Sequence, residues 1–363
     1  MSSRLRIALL DRRLPRWVPC LALVLLGGCS SVQYYAQLGS GQLKLLSARE
    51  PVAEVVADPS RDARLRERLA LSQQARDFAS AALGLPDNHS YRLYSDIQRP
   101  YVVWNVFATP ELSLHPLTHC FPIAGCVAYR GYYSEPSAQG EAQRLKALGW
   151  DVYVGGVEAY STLGWFDDPI ISSMLRWDDQ RLAETIFHEL AHQRYYLPGD
   201  TAFNESYASF VEQEGGRRWR ASRGLPPESG IAVRQREGLT RLVLDTRERL
   251  DRLYASGQSD EAKRAGKAAE FERMRSEYRA LCLREWGGKC PYDTWINSPM
   301  NNAKLLPFGL YDQWVPAFAT LLRQVGGNWP AFYARVEKLG ALPRAQRQAL
   351  LEHLKAGDFV ALR

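Results

Sequence analysis

The sequence predicts a helix-rich α+β fold with a small mixed or antiparallel sheet, and three observations carry that expectation. Residues 91–133 hold short aromatic and β-branched tracts, "YRLYS", "YVVWNVFAT" and "CVAYRGYYS", separated by Pro, Asn and Gly as strands are. Apolar residues recur at three- and four-residue steps on both sides of that region, in "RDARLRERLALSQQARDFASAAL" and in two long charged tracts beyond residue 230. Between them, "RLAETIFHELAHQRYY" is apolar at 182, 183, 186, 187, 190 and 191, the pattern of a buried helix.

Taken in order, residues 1–28 stand apart from the fold. Arg4, Arg6, Arg12, Arg13 and Arg16 form a basic head before the apolar run "WVPCLALVLLGGC". That run is too short for a permanent membrane helix and has the layout of a secretory signal. Its end, Leu26-Gly27-Gly28-Cys29, resembles the lipobox of bacterial lipoproteins, which implies acylation of Cys29 and a membrane anchor through the lipid. Ser30 after the cysteine resembles lipoproteins sorted to an outer membrane, so the expected location is the bacterial cell envelope, facing the periplasm. Removing this segment takes five arginines and one aspartate from the chain's 46 basic and 40 acidic residues, leaving a net charge of +2. The sequence pI of about 9.0 therefore reflects mostly the signal, and nucleic acid is not an expected partner.

Residues 29–58 read as a membrane-proximal lead with limited structure. Residues 59–216 make an N-terminal subdomain: a helix over 61–83 closed by Gly84 and Pro86, the strand tracts, a helix near 137–148, a strand at "WDVYVGGV" and the extended aromatic "EAYSTLGWFDDPI". Residues 217–363 read as a helical C-terminal subdomain. Two charged amphipathic helices around the turn "SGQS" make a hairpin, and the tract from Asn301 onward reads as three more helices. Four cysteines remain beside Cys29. In an exported protein Cys120, Cys126, Cys282 and Cys290 suggest two disulfides. Three connectivities are open, with the local pairs Cys120–Cys126 and Cys282–Cys290 favoured. A rival metal site from His115, His119 and Cys120 is disfavoured by an oxidising compartment.

The chemistry concentrates in His188-Glu189-Leu190-Ala191-His192. Positions four apart share a helix face, so both imidazoles can reach one metal ion. Glu189 then lies near that ion without ligating it, placed to take a proton from water. A catalytic zinc site needs one more protein ligand. Twelve residues separate His192 from Glu205, which, past the turn Pro198-Gly199-Asp200, would face the imidazoles from a second helix folding back. Asp200 is better explained as a cap, Glu212 lies two turns further, and Glu214 precedes a Gly-Gly pair where the helix should fray.

His188 to His192 followed by Asn204-Glu205-Ser206-Tyr207-Ala208 resembles the gluzincin metallopeptidases, in which an NExxA helix supplies a glutamate ligand. More narrowly, "AYSTLGWFDDPI", "TIFHELAHQRYYLPGDTAFNES" and "SPMNNAKLLPFGLYDQWVPAFATLL" resemble bacterial lipoproteins classed as zinc aminopeptidases. The resemblance implies a zincin-like core, one Zn2+ held by His188, His192 and Glu205, and a peptide substrate. The gap between the second histidine and the glutamate is shorter than in classical gluzincin aminopeptidases, so the substrate pockets need not carry over.

Three functions are compatible with the residues: an aminopeptidase trimming peptides in the envelope, an endopeptidase acting on envelope proteins, or a scaffold lipoprotein with structural zinc. Tyr311 and Tyr207 are candidates for stabilising a developing oxyanion. Zincin folds pair an extended peptide with the edge strand before the metal helix, which makes Trp165 a candidate pocket residue. Glu158 is the leading candidate for binding an α-amine, with Asp167 and Asp168 competing for that role or capping the following helix. Asn301 and Asn302 would either contact the peptide backbone or cap the following helix.

Overall fold

Helices dominate because the chain supplies apolar stripes with caps at their starts, and the strands are short. The computed structural model describes residues 18–121, 125–159, 161–311 and 313–359, without the side chains of 18–31, 33 and 309–311. The proposed signal is therefore outside the described residues up to position 17, as is the side chain of Cys29. Helix α1 (Val18–Ser47) comes first, and the chain divides at Leu45, with the second unit running over residues 45–363. Among the described residues no helix is long and apolar enough to cross a membrane.

The second unit starts with β1 (Arg49–Pro51) and α2 (Val52–Ala57), then α3 (Ala63–Leu83) and β2 (Leu93–Ser95). Asp62 caps α3 by accepting from the Leu65 amide, and Gly84 ends it in the left-handed region at φ 65°. The lead expected to have little structure is built into the core past Leu45. β1 pairs antiparallel with β2, and Val52 and Val55 are buried. Next come β3 (Val103–Pro110), β4 (His119–Phe121), β5 (Gly125–Val127) and β6 (Tyr129–Tyr132). α4 (Glu135–Ala147), β7 (Trp150–Val157) and β8 (Ile170–Ile171) follow.

The strands form three small sheets. β6-β3-β7 is antiparallel with β7 at an edge, β1-β2-β8 is mixed, and β4-β5 is a hairpin. Among the described residues, the segment expected to be extended before α5 contributes only Ile170 to a strand, the first residue of β8. Residues 161–168 instead close on themselves, because the buried Asp168 carboxylate accepts from the Thr162 amide at 2.9 Å and its hydroxyl at 2.8 Å.

Helices α5 (Asp179–Arg194) and α6 (Thr201–Ser222) form the centre of the main core with α3. α7 (Gly230–Ala255) and α8 (Asp260–Glu285) are the expected hairpin, with a core of their own around Leu239, Val243, Met274 and Tyr278. The chain ends with α9 (Asp293–Asn297), α10 (Asn302–Tyr311), α11 (Val315–Gln324), α12 (Trp329–Gly340) and α13 (Arg344–Lys355). The tract from Asn301 thus makes four helices where three were expected, since Pro316, Pro330 and Pro343 each sit at or beside a helix start. Nor does α6 fray at Gly215-Gly216. A Cβ on Gly215 would sit 2.8 Å from Leu83 and 3.0 Å from Phe187, and one on Gly216 would run into Glu184. The missing side chains let α3, α5 and α6 close on each other. Cys120 is bonded to Cys126 and Cys282 to Cys290, which consumes the thiol of the rival metal site.

Candidate metal centre

α5 is held with one face in the core by Leu182, Ala183, Ile186, Phe187, Leu190 and Ala191, all fully buried. Asp178 caps its start through the Arg181 amide at 2.8 Å. That burial fixes the rotation of the helix and turns His188 and His192 together toward α6. The turn between the helices is locked by Asn204, whose side chain accepts from the Leu197 amide and donates to the Leu197 carbonyl, both at 2.8 Å. Asp200 caps α6 at the Phe203 amide and pairs with Arg347 at 2.8 Å. The β4-β5 hairpin seats against the same turn: a Cβ on Gly125 would come within 2.6 Å of the Gly199 nitrogen. Glu205 is the next residue after the locking asparagine.

The outcome is a compact donor cluster. The Nε2 atoms of His188 and His192 lie 3.2 Å apart, and Glu205 Oε2 is 3.5 Å from the first and 3.6 Å from the second. All three residues are 8% exposed. Among the described residues they are the one group of His, Cys, Asp or Glu side chains gathered closely enough to hold a metal ion. Two imidazole nitrogens turned toward each other beside a buried carboxylate suit a cation. The far side of His188 supports the same reading, since Nδ1 contacts Glu212 Oε2 at 2.8 Å, the carboxylate–histidine arrangement that orients metal ligands.

Electrostatics follow from burial. Desolvation alone would raise the Glu205 carboxyl, yet the neighbouring histidines hold it down at about 2. Burial likewise works to lower His188, and hydrogen bonds to Glu205 and Glu212 reverse it, leaving its pKa well above the usual value. Glu189, next to the cluster and 9% exposed, is raised, first by lost hydration. Behind Glu212, a cavity of about 660 Å³ is lined by Gln180, Glu184, Arg217, Glu228 and Arg236, and burial pushes Glu184 up to about 7.

The other sequence candidates fall elsewhere. Tyr207 is fully buried, with its ring against Tyr195, Phe318 and Phe332, so it belongs to the aromatic core and not to a substrate surface. Two residues beyond Glu205 on a helix is more than half a turn away, which sends the two side chains in different directions. The side chain of Tyr311, at the end of α10, lies outside those described. The Glu158 carboxylate accepts from Trp177 Nε1 at 2.8 Å and pairs with Arg181 at 3.3 Å, so it is engaged as a brace. Asn302 is buried and ties Glu111 and Ser113 carbonyls to α10, while Asn301 caps Lys304 and donates to the Val152 carbonyl. Both asparagines serve as caps and ties. Trp165 is 66% exposed on the loop closed by Asp168, and that loop meets α5 where Gln193 Nε2 donates to Asp168 Oδ2 at 3.3 Å.

Sequence reasoning set Glu212 aside as a ligand without foreseeing its contact with His188, and it did not single out Tyr196. Glu212 is seven positions after Glu205, two turns along the same helix face, and that spacing was available as a signal. Tyr196 stands edge-on to His192 with ring centroids 6.2 Å apart, and only its place four residues after that histidine could have pointed to it.

No curated protein and no solved structure gives a match to this chain. A family model described as "Putative aminopeptidase" matches residues 33–351. With the match spanning the strand region, both helices of the donor cluster and nearly all of the helical C-terminal half, the chain belongs to that aminopeptidase family.

Proposed function

We propose that this protein is a zinc-dependent aminopeptidase, tethered to the bacterial cell envelope by a lipid on Cys29 and trimming peptides from their amino ends. The observation that carries the reading is the three-donor cluster of His188, His192 and Glu205 with Glu189 buried beside it. Three protein ligands are the pattern of catalytic zinc, whereas structural zinc takes four, which favours the enzyme over a scaffold. When bound, zinc supplies a Lewis acid that polarises a scissile carbonyl and makes water more acidic.

The chain's own residues do the rest. Glu212 fixes which nitrogen of His188 is turned toward the cluster. Glu189, its pKa raised by burial, accepts a proton from the attacking water and passes it to the leaving amine. The closed turn at Leu197 keeps Glu205 in register with the two imidazoles. The N-terminal basic head, apolar run and Cys29 support the envelope location. Family membership favours removal of N-terminal residues over internal cleavage.

The test pairs metal analysis with hydrolysis of matched free and N-acetylated peptides. The aminopeptidase reading requires one zinc per chain, cleavage of the free peptide and none of the acetylated one. Equal cleavage of both would make it an endopeptidase, and zinc without cleavage of either would make it a scaffold. Glu189→Gln should keep zinc and lose hydrolysis; retained hydrolysis would refute its role as base.

A further inference from the structure

The geometry points to Tyr196 as a catalytic residue, its hydroxyl donating a hydrogen bond to the substrate carbonyl oxygen as negative charge gathers there. This rests on the hydrolase reading and adds a residue to it.

Tyr195 and Tyr196 leave the end of α5 in different directions. Tyr195 is the C-cap and turns inward, with its ring against Phe203 and Tyr207. Tyr196 stands against the ligand ring of His192, at an interplanar angle of 71°, and its side chain is only partly buried. It therefore sits beside the donor cluster while keeping access to solvent, the combination Tyr207 lacks.

The backbone that carries Tyr196 is fixed by the elements that fix the ligands. Leu197 is held at both its amide and its carbonyl by Asn204, the residue before Glu205, and Gly199 is covered by the Cys120–Cys126 hairpin. A donor held this way needs no reorganisation when charge appears, which is the condition for stabilising an oxyanion. A tyrosine hydroxyl, with an ordinary pKa of about 10, keeps its proton at neutral pH and is available as a donor.

The chemistry balances without a further reactant. Water oxygen bonds to the carbonyl carbon, the C=O π pair moves onto oxygen, and Tyr196 donates to that oxygen without giving up its proton. When the pair returns, the C–N bond breaks and the amine leaves with the proton carried by Glu189.

The experiment compares wild type with Tyr196→Phe, which keeps the ring against His192. Three quantities are read: zinc content, kcat and KM on a free peptide, and calorimetric affinity for a phosphinic pseudopeptide that mimics the tetrahedral adduct. Removing one such donor is expected to lower kcat by on the order of 10²–10³-fold. KM and zinc content should stay within about twofold, and phosphinate affinity should fall in parallel with kcat. A variant as active as wild type overturns the inference alone. So does a loss explained by falling zinc content or by KM without kcat. Zinc-loaded wild type that cleaves no peptide overturns the hydrolase reading and this inference with it.

Discussion

Two consecutive helix pairs use their shared seams differently. Between α5 and α6 the seam gathers ionisable groups: His188 and His192 on one helix meet Glu205 and Glu212 on the other. Between α7 and α8 it is apolar, built from Leu239, Leu242, Val243 and Leu250 against Phe271, Met274, Tyr278 and Cys282. Most of the hairpin's charges stay outside, as in Arg252–Glu248 and Arg273–Glu277, while Arg249 reaches from α7 to Glu270 on α8 at 2.7 Å and to Glu277 at 3.1 Å. Buried charges cost desolvation that their partners only partly offset, while buried leucines and aromatics stabilise by about 1.5–3 kcal/mol each. The first pair thus gives up stability to gather ionisable groups, and the second rests mainly on apolar contact, with the Arg249 ion pairs beside it.

The largest way to break this contrast is Glu205→Gln. It removes the anionic donor, and the metal should be lost on dialysis. Peptide hydrolysis should fall at least on the order of 10²-fold, the upper range found when only an outer-shell partner of a ligand is removed. The fold should survive, as measured by circular dichroism. Leu250→Ala is the reciprocal change: it empties a fully buried site in the hairpin and should cost about 2–5 kcal/mol in denaturant unfolding, with metal content unchanged.

How much of this contrast could be read in advance depends on the kind of signal. The rotation of α5 was legible because six apolar positions specify one face, and Glu205 because the chain length after Pro198 allows one return. Gly215-Gly216 was misread as a fraying end, since glycine weakens an isolated helix and its value in close helix packing appears only once Leu83, Phe187 and Glu184 are in place. Asn301 caps the Lys304 amide, one of the two roles expected of it, but its tie to Val152 and the roles of Glu158 and Asn302 were illegible for a related reason. Their partners, Trp177, Val152 and Glu111, are brought to them by tertiary structure.

Two smaller predictions sharpen the comparison. Gly216→Ala should destabilise by about 1–3 kcal/mol through its clash with Glu184, although alanine in an unhindered helix site would gain about 1 kcal/mol. A gain in thermal stability would contradict the close packing.

Glu184 supplies the pH dependence. Its folded pKa of about 7 lies above the ordinary 4.5, so the folded state holds the proton more tightly than the unfolded chain. Stability tied to this group is therefore present below pH 4.5 and declines as pH rises toward 7. Glu184→Gln should raise stability by about 1–3 kcal/mol at pH 8 and leave it unchanged at pH 4, a rise of about 2.5 in pKa being worth at most about 3.4 kcal/mol before solvent screening. Parallel stability–pH curves for the two proteins would dismiss the effect.

The most direct test of the central claim is elemental analysis of the purified full chain after zinc loading and dialysis, beside His188→Ala. The account predicts close to one zinc per wild-type chain and almost none in the variant. Equal zinc in both proteins, or none in either, would contradict a metal centre formed by His188, His192 and Glu205.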